Sequence, residues 1–320
     1  MSLSRPRLHL ALTPTPLQHL QRLSAETGVE FWLKRDDLTG DLGLGGNKVR
    51  KLEFLLAEAV AAGATHVLTT GGPQSNHARA TAAACARLGL GCVLVLAGRD
   101  PGERQGNLLL DQLYGAEIRF PGAVTAADQA RCLEEAAADL ATQGHRPYII
   151  PVGGSTALGS LGSYECYAEL AGVLPGSGDA WVCCASGSGG THAGLILGAL
   201  LHGRAVRVQG FSVWQPATWL EPVTRQLAAE AGALLGHPVG DFPVHVDDRY
   251  LAPRYGKASP AGLEAIALVA RLEGVVLDHV YTGKAMAGVL DYIRTGLIPR
   301  GSRVVFVHTG GAPAVFAGMK

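Results

Sequence analysis

Short apolar runs alternate with helical patterns along nearly the whole chain. Seven runs read as strands: "FWLKRDD" (31–37), "HVLTTGG" (66–72), "CVLVLAG" (92–98), "YIIPVGG" (148–154), "WVCCASG" (181–187), "VRVQGFSV" (206–213) and "VVFVHTGG" (304–311). Most are rich in Val, Ile and Leu and apolar on both parities, as strands covered on both faces must be. Helical stripes separate them. Val49, Leu52, Leu55, Leu56, Ala59 and Val60 form one, and Ala80, Ala83, Ala84, Arg87 and Leu88 another. "TRQLAAEAGALLG" (224–236) reads as an amphipathic surface helix. This alternation predicts an α/β fold with parallel sheets. The runs fall into two groups, one over about 50 to 155 and one from about Ser155 onward, with 31–37 returning to the second. The expectation is two open, twisted, parallel-sheet domains with a cleft between them.

In such sheets ligands bind beyond the carboxyl ends of the strands. The polar, glycine-rich clusters sit at those ends: "GGPQSNH", "PVGGS", "ASGSGGTHAG" and "HTGGAP". Four such loops predict one shared site.

Composition narrows what that site can serve. The 320 residues are 48% hydrophobic and 17% charged, with a formal net charge of zero. A large core is expected, and no global field favours nucleic acid or an anionic membrane, so the partner is expected to be a small molecule. No apolar run reaches the roughly 18 residues of a membrane span, and the N-terminus lacks a signal-type apolar stretch, which predicts a cytoplasmic protein. Cys85, Cys92, Cys132, Cys166, Cys183 and Cys184 form no CxxC pair, so buried reduced thiols are expected and no metal.

Three segments carry candidate chemistry. In "ASGSGGTHAG", Ser188, Gly189, Gly190 and Thr191 end a strand and open a helix. Their N–H groups, hydroxyls and helix dipole suit a phosphate; a tight turn with an N-cap is the plainer alternative. In "GGPQSNHARA", Ser75 or Asn76 could be an ordinary N-cap. Gln74, Ser75, Asn76 and His77 together exceed what one cap needs. In "LGLGGNKVRKLEF", Lys48 opens a helix, where a cation is disfavoured. It could be solvated, bind an anion or carry a carbonyl cofactor covalently. Asp36 and Asp37 lie beside Lys34 and Arg35, so ion pairs or caps are expected there. Structural hydrogen bonds are expected for His77 and His192. Trp214 is expected either to line the cleft or to fill the core.

Longer stretches are recognisable. "KRDDLTGDLGLGGNKVRKLEFL", "GGPQSNHARATAAACARLGL", "RPYIIPVGGSTALGSLGSYE", "ASGSGGTHAGL", "VARLEGVVLDHVYTGKAMAG" and "FVHTGGAPAVFA" resemble the D-cysteine desulfhydrase / 1-aminocyclopropane-1-carboxylate deaminase family over about Pro6 to Phe316. The resemblance implies the tryptophan synthase β-like fold (fold type II) and pyridoxal 5'-phosphate as cofactor. It also implies a homodimer whose small domain, 50–155, is inserted in a large one, 1–49 plus 156–320. By the same resemblance Lys48 is the cofactor-carrying lysine. Asn76 bonds the cofactor's 3' oxygen, and Ser188, Gly189, Gly190 and Thr191 hold its phosphate. Ser75 contacts the substrate, and Tyr255 and Tyr281 are active-site tyrosines.

Thr282 and Thr309 stand where deaminases of the family carry Glu and Leu, and match the desulfhydrase side. A neutral hydroxyl there would leave the pyridine nitrogen largely unprotonated. His279 replaces a usual Pro, and the stretch after Gly98 is short. The expected reaction is α,β-elimination on a small β-substituted amino acid, foremost D-cysteine. Rival expectations are the cyclopropane deaminase, a cysteate sulfo-lyase and a non-catalytic small-molecule sensor.

Overall fold

The computed structural model describes residues 5–122, 125–172, 174, 180–203 and 206–317. Its strands are β1 (Leu17–His19), β2 (Glu30–Lys34), β3 (His66–Gly71), β4 (Gly91–Leu96), β5 (Glu117–Arg119), β6 (Pro147–Ile150), β7 (Ala180–Ser186), β8 (Val206–Ser212), β9 (His245–Asp247) and β10 (Arg303–Val307). They form a six-stranded sheet, β1-β2-β10-β7-β8-β9, and a four-stranded sheet, β5-β4-β3-β6. Every pairing is parallel except β1 with β2. All seven expected strands are present. The three that the hydrophobic pattern does not mark, β1, β5 and β9, are three-residue edge strands, too short for a period to register.

Helices cover both faces of both sheets: α1 (Gln21–Thr27), α2 (Lys48–Ala61), α3 (Asn76–Leu88), α4 (Gly106–Leu113), α5 (Ala126–Thr142), α6 (Ala157–Ala171), α7 (Gly190–Leu201), α8 (Ala217–Leu234), α9 (Pro260–Glu273) and α10 (Thr282–Arg294). Strand alternation divides the cores. In β7, Trp181, Cys183 and Ala185 pack with α1, α9 and α10, while Val182 and Cys184 pack with α6, α7 and α8. The adjacent cysteines thus serve opposite faces. In the smaller sheet Val67, Leu94 and Leu96 face α2 and α3, while Leu68, Val93 and Val95 face α5. All six cysteines are free thiols; Cys132 is only half-buried, the other five fully. The 224–236 pattern forms part of α8, which starts earlier, at Ala217, and carries Pro222 within it.

α2 joins the two bodies. Its Val49, Leu52 and Leu56 belong to the small-sheet core, while Phe54 packs with Leu161 and Leu197 of α6 and α7. On this helix Arg50 is 2% exposed and reaches Asp36 Oδ1 at 3.0 Å and Glu169 Oε1 at 2.7 Å. Lys34 also pairs with Glu169, and Thr15 Oγ1 donates to Asp36 at 2.8 Å. Asp37 pairs with Arg35. The two aspartates are therefore structural, as expected. Arg50→Met would leave Asp36 buried without its cation. Unfolding stability is expected to fall by about 3–5 kcal/mol, read from the denaturant midpoint; a loss below about 1 kcal/mol would contradict this role.

Candidate active site

The loops after β3, β6, β7 and β10 meet in one cavity. Its lining includes Asn47, Lys48, Ser75, Asn76, His77, Val152, Gly153, Trp214, Tyr255, Tyr281, Thr309 and the turn 185–191. It encloses about 630 Å³ of open space, counting the solvent at its mouth. Among the described residues no carboxylate lines it. A wider vestibule, about 1880 Å³ on the same measure, adjoins it, sharing Val152, Trp214 and Tyr255. Trp214 thus lines the cleft, its ring centroid 5.8 Å from that of Tyr255.

Lys48 is the first residue of α2. Its Nζ donates to Gly153 O at 3.1 Å, and burial lowers its pKa to about 8. Lys51, one turn on and fully buried, donates to the same carbonyl at 3.2 Å and to Ser155 Oγ at 3.4 Å. Burial and the neighbouring Lys48 push its pKa well down. Two lysine amines share one carbonyl and no acid lines the cavity, so a positive charge on either is uncompensated and both are driven toward the neutral form. A bound anion would offset that charge.

The anion's seat is the N-terminus of α7. Gly189, the N-cap residue, sits at φ +85 and brings no side chain of its own to cap the helix. Ser188 Oγ and Ser155 Oγ lie 2.8 Å apart, and Gly190 N donates to Ser155 Oγ at 3.2 Å. Thr191 Oγ1 accepts from Asn47 Nδ2 at 2.9 Å, leaving its own hydrogen to point elsewhere. A side chain at Gly190 would fill the seat: its Cβ would stand 2.7 Å from Ser155 Oγ and 2.8 Å from Lys51 Nζ. Helix dipole, hydroxyls and lysine therefore converge on a space that only glycine leaves open.

Across the cavity Ser75 caps α3, accepting from Ala78 N at 3.2 Å and keeping its own hydroxyl hydrogen. Asn76 Oδ1 accepts from Asn107 Nδ2 at 2.8 Å and from Arg79 NH1 at 3.3 Å. That network orients the amide so its NH₂ group is the donor left for a ligand. Arg79 is itself buried, bonded to Asn107 Oδ1 and Gly45 O. On the third wall Tyr255 and Tyr281 meet with their hydroxyls 2.5 Å apart. Burial raises the pKa of both, so both are neutral phenols at neutral pH.

Two expectations come out differently. Thr282 is buried outside the cavity lining. Its hydroxyl donates to Asp278 Oδ1 at 2.7 Å and accepts from Asp278 N at 2.8 Å, so it fastens the head of α10. His77 lines the cavity, yet neither ring nitrogen has a hydrogen-bond partner, and burial keeps it neutral. His192 packs against Gly210; burial lowers its pKa to about 4, partly offset by a hydrogen bond with the Val208 backbone. The expected structural hydrogen bond is therefore absent at His77, while at His192 it is made to the backbone of Val208. Lys51, Ser155, Asn107 and Arg79 go unmarked in the sequence reading. For Lys51 the spacing held a signal, since residues three apart share one face of a helix.

The pyridoxal-phosphate dependent enzyme family model matches residues 8–310. The chain belongs to that family. Among curated relatives, D-cysteine desulfhydrases of Yersinia enterocolitica and Klebsiella pneumoniae are 43% and 44% identical to it, over 98% of this chain and 96% of each relative. A solved structure described as an ACC deaminase homologue superposes with a TM-score of 0.91 at 39% identity, covering 98% of this chain and 94% of that one. A fungal L-serine ammonia-lyase from Rhizomucor miehei shares the fold, with a TM-score of 0.67 at 19% identity. The family's cofactor fits the cavity on physical grounds: an amine able to be neutral, an amide NH₂ opposite it, and an anion seat beside two buried lysines.

The lowered pKa of Lys48 has a measurable consequence. Were Lys48 to carry the cofactor, only its neutral amine would add to the aldehyde. The loading rate of apoenzyme is expected to rise through about pH 8 and flatten above it. A rate still climbing tenfold per unit at pH 10, as for an exposed lysine, would contradict the burial argument.

Proposed function

We propose that this chain catalyses α,β-elimination on D-cysteine, giving pyruvate, ammonia and hydrogen sulfide with uptake of one water. The observation that carries the reading is the meeting of Lys48, the Ser75 helix N-terminus and the Tyr255–Tyr281 pair around one carboxylate-free cavity. Similarity to curated D-cysteine desulfhydrases, at 43–44% identity over 98% of the chain, supports it, as does the neutral Thr309 in the cavity lining.

Lys48 would hold pyridoxal phosphate covalently. The α7 N-terminus, Ser188, Thr191 and Lys51 would hold its phosphate, and the Asn76 NH₂ its ring oxygen. When bound, the cofactor supplies an electron sink for the carbanion at Cα. The chain's residues do the rest. The Ser75 hydroxyl and the first-turn N–H groups of α3 bind the substrate carboxylate, fixing which Cα bond stands perpendicular to the ring. The Lys48 amine, once displaced, takes the Cα proton. As the Cβ–S bond breaks and the Cα=Cβ bond forms, Tyr281 or Tyr255 donates to the departing sulfur. The enamine product hydrolyses to pyruvate and ammonia. In this reading the enzyme is a cytoplasmic homodimer. Residues 1–49 plus 156–320 and 50–155 are its two bodies. Among the described residues no helix is long and apolar enough to cross a membrane.

Lys51→Met would remove one charged contact from the phosphate. Cofactor affinity is expected to fall by about 10- to 100-fold, read by titrating apoenzyme, since a charged hydrogen bond is worth roughly 1.5–3 kcal/mol; unchanged affinity would place the phosphate elsewhere. The substrate assignment is tested by assaying D-cysteine, L-cysteine, 1-aminocyclopropane-1-carboxylate and cysteate side by side. D-cysteine is expected to lead. The cyclic acid yielding 2-oxobutanoate fastest would make the protein a deaminase, and the absence of arginine from the cavity lining speaks against cysteate.

A further inference from the structure

Tyr255 is carried by a segment with no helix or strand of its own, yet its hydroxyl is held 2.5 Å from that of Tyr281. Tyr281 is the N-cap residue of α10 and is fixed well: Asp278 Oδ2 accepts its N–H and that of Val280, both at 2.8 Å. Something must therefore fix the other partner. Lys284, in the first turn of α10, is fully buried. Its Nζ donates to Leu251 O at 2.8 Å and Arg254 O at 2.9 Å. A buried cation at a helix N-terminus is unfavourable and needs compensation. Here the compensation is two carbonyls from the segment that carries Tyr255.

We propose that Lys284 is a positioning residue that staples the 251–257 segment to α10 and so sets the Tyr255–Tyr281 hydroxyl pair. It touches neither cavity nor substrate; it acts through Tyr255. Without it, two carbonyls lose their donor, and Tyr255 is held by its ring contacts with Trp214 and Tyr281 and its approach to Gly72, none of which fixes the 251–254 backbone. This inference rests on the reading of the tyrosine pair as the group that assists the departing sulfur.

The test is a double-mutant cycle on the cofactor-loaded enzyme with D-cysteine. Lys284→Met alone is expected to lower kcat by about 100-fold, the usual scale for a misplaced catalytic group. KM is expected to move less than about threefold, and the cofactor's visible absorption band to remain. In a Tyr255→Phe background the same change is expected to cost less than about threefold, because its effect runs through the missing hydroxyl. Equal losses in both backgrounds would overturn the proposal. Hydrogen exchange gives a second readout that does not depend on turnover. Amides of 251–257 are expected to exchange faster in Lys284→Met while those of α7 do not change; unchanged protection of 251–257 would overturn the staple. If Tyr255→Phe alone keeps full turnover, the tyrosine reading fails, and the exchange result still decides the staple. If Lys284→Met does not fold, Lys284→Gln, which keeps one donor, goes through the same cycle and exchange measurement.

Discussion

Lys48→Ala is expected to lower D-cysteine turnover by about 10,000-fold, the upper range for removing a positioned general base. Two functions go together in this substitution. The covalent anchor is lost, and so is the amine that takes the Cα proton. Bound cofactor is expected to persist, because its phosphate seat does not involve Lys48. The visible band should shift, and part of the cofactor, no longer covalently held, should separate from the protein on a desalting column. The size of the loss follows from geometry. The nearest alternative amine, Lys51, donates to Gly153 O and Ser155 Oγ on the phosphate side. His77 is neutral, but it sits in packing contact with Gly154. Neither replaces the base. A variant that kept the parent absorption band and turned over within tenfold of the parent would remove Lys48 from the chemistry.

The second large effect is expected at the tyrosine pair. Tyr281→Phe removes the hydroxyl held 2.5 Å from Tyr255 and is expected to slow sulfide release by about 100-fold, the lower range for general acid assistance. Assistance to a leaving group depends on the leaving group. With β-chloroalanine, whose chloride departs without a proton, the loss is expected to stay under about threefold. Exchange of the substrate's Cα hydrogen with solvent deuterium should also survive, because that step belongs to Lys48. Equal losses with cysteine and β-chloroalanine, or loss of Cα exchange, would assign Tyr281 to substrate binding instead.

Much of this was legible before any coordinates. The central strands announce themselves because both their faces are buried, which makes them apolar on every position; β7 and β10 are the clearest cases. The polar glycine loops fall at the carboxyl ends of those strands, and four of them line one cavity. Three-residue edges such as β5, with an exposed Glu117, carry no such mark. At the site, Lys48 stood out by its awkward place at a helix start. Lys51 did not, since a second lysine one turn along reads as an ordinary solvated face. Its role follows from α6 and α7 closing over α2, a tertiary fact. The same holds for Arg79 and Asn107, which orient Asn76 from α3 and α4, and for Thr282. A threonine beside an active-site tyrosine reads as a ligand contact, but Asp278 four residues earlier takes its hydroxyl.

The central claim concerns bonds broken and products formed, so the most direct measurement counts them. Purified, cofactor-loaded protein is given D-cysteine, and sulfide and pyruvate are quantified in the same tube. The account predicts equal amounts of both, in many turnovers per active site. A protein that shows the bound cofactor's absorption band but releases no sulfide would contradict it.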